Sequence, residues 1–144
     1  MATPSSPSRL PAPGDVLPYG FLWSHQSEAG REDPVKERPC VVVLAVGQGP
    51  NPQLIVAPVT SRDPRRQDAI ALSAGALGLD RPSWIVPWEL NVFRWPGPDV
   101  GRAARPAGAW WRIGALAPDL RRRLRGAVET ALKDRRAKVA RRTE

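Results

Sequence analysis

The sequence is poor in the residues that build covalent and metal frameworks. It has one cysteine, Cys40, so an intrachain disulfide is excluded. With one histidine beside that one cysteine, a Cys/His metal site has no ligand set to draw on. Cys40 stands between Pro39 and a run of valines, where a small buried thiol at the start of a strand fits better than a nucleophile. Long hydrophobic runs are lacking too: no stretch approaches the roughly 20 apolar residues that span a bilayer. No charged start followed by an apolar run marks a secretory signal. These absences imply a soluble, cytoplasmic protein with no membrane contact, no metal and no cofactor. Large apolar side chains are also scarce over residues 1–13, which are mostly Pro, Ser and Ala. Such a stretch buries too little surface to offset the entropy of ordering, so it reads as a disordered tail before one domain over 14–142.

Negative charge is in short supply as well. The chain carries 22 Lys and Arg against 14 Asp and Glu, a net +8. From Arg121 onward there are ten basic and three acidic residues, which places +7 of that excess at the C-terminal end. A basic excess favours polyanionic partners, although a solvated helix face accounts for it equally well.

What is present reads as a series of short strands. "GDVLPYGFLW" (Gly14 to Trp23) predicts a strand, at an edge or bulged because Pro18 cannot donate to a ladder. Ser24 to Arg38 is polar and predicts a long loop. "PCVVVLAV" (Pro39 to Val46) is continuously apolar and predicts a strand buried on both faces. "GQGPNP" lacks the Lys-Ser/Thr ending of a phosphate loop, so it predicts a hairpin turn. "QLIVAPVTS" and "DAIALS" predict two more strands, and "SAGALGLD" a helical turn. Ser83 to Trp95 predicts two strands around Pro87, Pro96 to Ala109 a second long loop, and "WWRIGAL" a last strand. A helix then starts near Pro118 and Asp119, with Leu120, Leu124, Val128 and Leu132 in one apolar stripe. Beyond it, "KDRRAKVARR" has little to bury and reads as projecting charge that adds non-specific RNA affinity. Strands followed by one amphipathic helix predict a mainly β fold with α, a small barrel with the helix packed on it.

The order of motifs adds to this. "GDV", "SHQSEAG", "ERPCVVVL", "IVAPVTSR", "GLDRPSWIVPWELN" and "RIGALAPDLRRRL" follow one another in an arrangement that resembles the PemK/MazF family of toxins from toxin–antitoxin systems. The resemblance covers Gly14 to Leu132. It implies an SH3-like barrel, a homodimer, metal-independent cleavage of single-stranded RNA, and neutralisation by a cognate antitoxin peptide. It matches Arg38, before Pro39, to an active-site arginine and Thr60 to an active-site threonine. His25 and Glu89 match the histidine and the acidic residue of the PemK branch. The family's Asp-Gln pair reads here as Glu89-Leu90 with Asn91 beyond, and Pro87 stands where an arginine is usual.

Chemistry gives these residues their roles. RNA is cut when its 2′-hydroxyl attacks the adjacent phosphorus, which needs a base, an acid and stabilisation of a crowded phosphate. Arg38 is suited to clamp phosphate oxygens rather than to move protons. Thr60 and Ser61 offer hydroxyl donors to the same phosphate. Histidine is the side-chain type that exchanges protons near neutrality, so His25 is the natural acid or base, with Glu89 to orient it or replace it. Ser61, Arg62 and Asn91 complete the expected RNA contacts, and one or two of the six tryptophans could stack on bases. Two other readings share the fold. One is a gyrase poison, disfavoured because those proteins act through a Trp-Gly-Ile ending and this chain ends in a basic helix. The other is a barrel that binds RNA or an antitoxin without cutting.

Overall fold

The computed structural model describes residues 9–28 and 36–142. Most of the predicted tail and the middle of the predicted 24–38 loop lie outside the described residues. Eight strands and two α-helices are present among the described residues: β1 (Asp15–Tyr19), α1 (Ser24–Glu28), β2 (Arg38–Val46), β3 (Gln53–Thr60), β4 (Ile70–Leu72), β5 (Ser83–Ile85), β6 (Glu89–Arg94), β7 (Gly114–Ala115), α2 (Pro118–Lys133) and β8 (Lys138–Arg141). A single 3₁₀ turn lies at Ala76–Gly78. The fold is mainly β with α, as the pattern of strands and one long helix predicts. The described residues contain no helix long and apolar enough to cross a membrane.

The sheet is curled and, apart from one pair, antiparallel. Its main path is β4-β5-β3-β2-β1-β7. The β2–β3 hairpin turns through Gly47 and Gly49 at φ 104° and 86°, which glycine adopts without a side-chain clash. Opposite β2, the other edge of β3 is shared: Gln53 to Val56 pair with β6, while Val59 and Thr60 pair with β5. This split lets the two ends of β3 diverge and places Thr60 where the sheet opens.

Valine-rich strands suit a surface that is pleated and packed on both sides. Val16, Val41, Ala57, Val59, Ile85 and Leu90 point to one face, where Leu124 and Val128 of α2 cover them. Leu17, Tyr19, Cys40, Val42, Leu54 and Val56 point to the other, where Phe93, Trp95 and Trp111 close the layer. The two-sided burial predicted for β2 holds for Cys40 to Val42 only. After a register shift between Val42 and Leu44, the strand's end is half open, with Leu44 and Val46 exposed.

Four further expectations are corrected. Ser24 to Glu28 form a short helix rather than loop, because Glu89 anchors its first turn from across the chain. In the stretch from Trp110 to Leu116 only Gly114 and Ala115 pair, since Trp111 is spent on packing rather than on a ladder. The apolar stripe of α2 stops short, with Leu124, Val128 and Ala131 buried and Leu132 49 % exposed. The segment read as projecting charge folds back: after a left-handed Arg135 (φ 58°), β8 runs parallel to β6. At the other end, Arg9 pairs with the buried carboxylate of Asp15 at 3.2 Å, and Arg112 holds the same carboxylate at 2.9 Å.

Candidate functional site

At the Thr60 end of β3 lies a cleft of about 480 Å³. Arg38 at the start of β2, Thr60 at the end of β3, and Ser61 and Arg62 just beyond line it, together with Glu89 at the start of β6. Five of the seven residues singled out from the sequence therefore meet in one place. The antiparallel pairing of β2 with β3 brings Arg38 and Thr60 to the same end of the sheet.

Arg38 is half-buried beneath Trp23, its guanidinium carbon 5.1 Å from the ring centre. Burial lowers its pKa from the ordinary value, but a guanidinium keeps its charge through any neutral solution. Its Nε–H is buried and has no acceptor among the described residues. A buried donor left unmade is rare and costly, and the guanidinium as a whole borders the cleft, where its charge suits an anionic oxygen. Thr60 Oγ1 accepts the Arg62 N–H at 3.1 Å, which folds the chain back at the cleft and leaves the hydroxyl proton to donate.

Glu89 is placed differently from a free base. Its Oε1 accepts the Ser24 N–H at 2.9 Å and its Oε2 accepts the Ser24 hydroxyl at 2.7 Å. The carboxylate thus fixes the start of α1, next to His25. His25 itself is exposed on α1 and does not line the cleft. Asn91, expected as an RNA contact, is fully buried. Its Oδ1 accepts the Leu22 N–H at 2.9 Å and its Nδ2 donates to the Leu22 carbonyl at 2.8 Å. That correction follows from strand alternation: Glu89 faces the opening, so Asn91, two residues on, continues the same face inward beneath the 20–24 segment.

Sequence reasoning left open which tryptophans belong here. Trp23 and Trp88 both line the cleft, with Lys36, Asp63, Pro64 and Val86. The Arg66 guanidinium lies 3.6 Å above the Trp88 ring and forks onto Asp68 through Nε (3.0 Å) and Nη2 (2.6 Å). The hydrogen bonds from Arg66 hold the Asp68 carboxyl below the ordinary carboxylate value. The signal for both indoles was local: Trp23 directly precedes Ser24, and Trp88 directly precedes Glu89. Cys40 is buried, and burial pushes its thiol up, away from the thiolate that a nucleophile needs. Among the described residues no group of three His, Cys, Asp or Glu side chains is placed to hold a metal ion.

Lys36, Arg38 and Arg62 outnumber Asp63 and Glu89 along the cleft walls. Fixed cations, a hydroxyl pair and two indole rings form a seat for an anion flanked by flat apolar groups. No family model matches the chain, and no curated protein matches it.

Proposed function

We propose that the chain is a toxin of the PemK/MazF kind, a metal-independent endoribonuclease acting on single-stranded RNA in the cytoplasm. In this reading the curled sheet is an SH3-like barrel, the protein works as a homodimer, and a cognate antitoxin peptide neutralises it. The observation that carries the proposal is the half-buried Arg38, a fixed cation in a cleft shared with Thr60 and Ser61. A phosphodiester matches this fixed cation and hydroxyl pair, and bases on either side of it suit Trp23 and Trp88.

The reaction follows from RNA's own chemistry. The 2′-oxygen attacks phosphorus and loses its proton to a base. The bond from phosphorus to the 5′-oxygen breaks, and that oxygen takes a proton from an acid. The products are a 2′,3′-cyclic phosphate and a 5′-hydroxyl. Arg38 stabilises the extra charge on the phosphoryl oxygens, with Thr60 and Ser61 donating beside it. Arg62 holds a neighbouring phosphate. His25 moves the proton, carried on a helix whose start Glu89 anchors.

A second reading, an RNA-binding barrel that does not cut, draws on one specific observation. Both Glu89 oxygens are engaged by Ser24, and His25 does not line the cleft. Incubating the purified protein with a long single-stranded RNA in EDTA separates the two. Discrete fragments ending in cyclic phosphate, absent with Arg38→Ala, support the nuclease. Salt-dependent binding without fragments supports the second reading, and neither binding nor fragments removes RNA as the ligand.

A further inference from the structure

Arg141 and Arg142 read in the sequence as two more charges in a basic run. In the fold they part company: Arg141 is exposed, while the Arg142 side chain is only 5 % exposed. Burying a cation is costly unless it is paired and hydrogen-bonded. Arg142 is both. Its Nη2 donates to Asp99 Oδ2 at 2.6 Å. Its Nη1 donates to the Gly20 carbonyl at 2.7 Å, and lies 3.2 Å from both the Tyr19 hydroxyl and Asn91 Oδ1.

These partners have a direction. Tyr19 and Gly20 open the segment that runs to α1, and Asn91 clamps Leu22 by both its N–H and its carbonyl. The next two residues are Trp23, which lies over Arg38, and Ser24, which is bound to Glu89. Held at Gly20 and Leu22, the chain has little freedom in where it delivers Trp23 and Ser24. The guanidinium fork allows this, because it reaches Asp99 on one side and the Gly20–Asn91 pair on the other. A lysine ammonium has no such spread of fixed donors.

We propose that Arg142 is a positioning residue for the cleft. From just beyond the end of β8 it locks the 20–24 segment, and through that segment it fixes Trp23 over Arg38 and α1 against Glu89. Its effect on RNA cleavage rests on the function proposed above; its effect on the 20–24 segment does not.

The test compares the full chain with Arg142→Gln in two measurements. Amide hydrogen exchange followed by NMR should show the Leu22 and Ser24 amides exchanging about tenfold faster or more in the variant, with the Val41 and Val56 amides in the β2–β3 ladder little changed. Cleavage of a single-stranded RNA should show kcat falling about tenfold while KM stays within about twofold, as expected when reacting groups are misplaced rather than removed. In a Trp23→Ala background the same substitution should add little. Equal acceleration of all four amides makes Arg142 a general stabiliser and overturns the proposal. Local acceleration with wild-type kcat also overturns it, because the segment would then not govern the site. If the wild-type protein cuts no RNA, the nuclease reading fails and the exchange pattern alone decides whether Arg142 locks the segment. Should Arg142→Gln not fold, Asp99→Asn removes only the countercharge and is read on the same amides for the same ordering.

Discussion

Arg38→Ala separates what the cleft needs from what the fold needs. In the folded protein Arg38 gains its contact with the Trp23 ring at 5.1 Å, worth about 0.5–1 kcal/mol at a partly exposed site. It also packs an aliphatic stem. Against these stands a buried Nε–H without an acceptor among the described residues, and leaving such a group unmade costs about 1–3 kcal/mol. Truncation to alanine removes the gains and the penalty together, so stability should change by no more than about 1 kcal/mol. For a domain of this size that is a shift in Tm of roughly 2 to 4 °C in either direction. Cleavage should fall by about a hundredfold or more, the usual consequence of losing a charge-assisted donor to a transition state. Thermal unfolding by circular dichroism and fragment release from a labelled RNA give the two quantities on one preparation. A loss in Tm of more than about 8 °C would make Arg38 a structural residue. A wild-type cleavage rate in a folded variant would refute the clamp.

Three other substitutions or conditions test the remaining assignments. His25→Gln should leave folding unchanged and slow cleavage about a hundredfold; a wild-type rate in the folded variant hands proton transfer to Glu89. Asn91→Ala should cost about 1–3 kcal/mol in urea unfolding, because the Leu22 N–H and carbonyl lose a buried partner, while the preferred cleavage sequence stays the same. Asp68 has a folded pKa below its ordinary 3.8, so its bond to Arg66 contributes stability that is complete above that ordinary value. That contribution disappears as pH falls through the lowered pKa, so the urea unfolding midpoint of Asp68→Asn should lie closer to that of the wild type at pH 2 than at pH 5, as measured by urea titration at each pH.

Much of this architecture was legible because it is encoded locally. Valine-rich β2 and β3, the Gly-rich turn between them, the two strands around Pro87 and the stripe of α2 all announce themselves within a few residues. The meeting of Arg38, Thr60 and Glu89 was legible only through the order of motifs. What the sequence hid depends on partners far along the chain. The five residues of α1 are too few to be stable as a helix alone and rely on Glu89, 65 positions away. Lys138 to Arg141 hold only two apolar residues, too few to stand out among arginines, and they become a strand because β6 offers a free edge. Arg142 looks like any solvated charge until Asp99, 43 positions earlier, is brought beside it. Asn91 looked available because its position beyond Glu89 says nothing of the segment that covers it.

The parallel pairing of β8 with β6 also bears on how the protein fares in a crowded solution. Among the described residues β8 pairs with β6 alone, so it forms that border of the sheet, and it carries exposed Lys138 and Arg141. Charged side chains on a border strand discourage another chain from adding itself to the sheet. Cutting the chain between α2 and β8, at the exposed residues 134–136, would free β6 to expose its ladder groups beside the apolar Leu44 and Leu132. The nicked protein would then acquire a template for aggregation, and its basic C-terminal residues would be revealed as guards of the sheet as much as sources of charge.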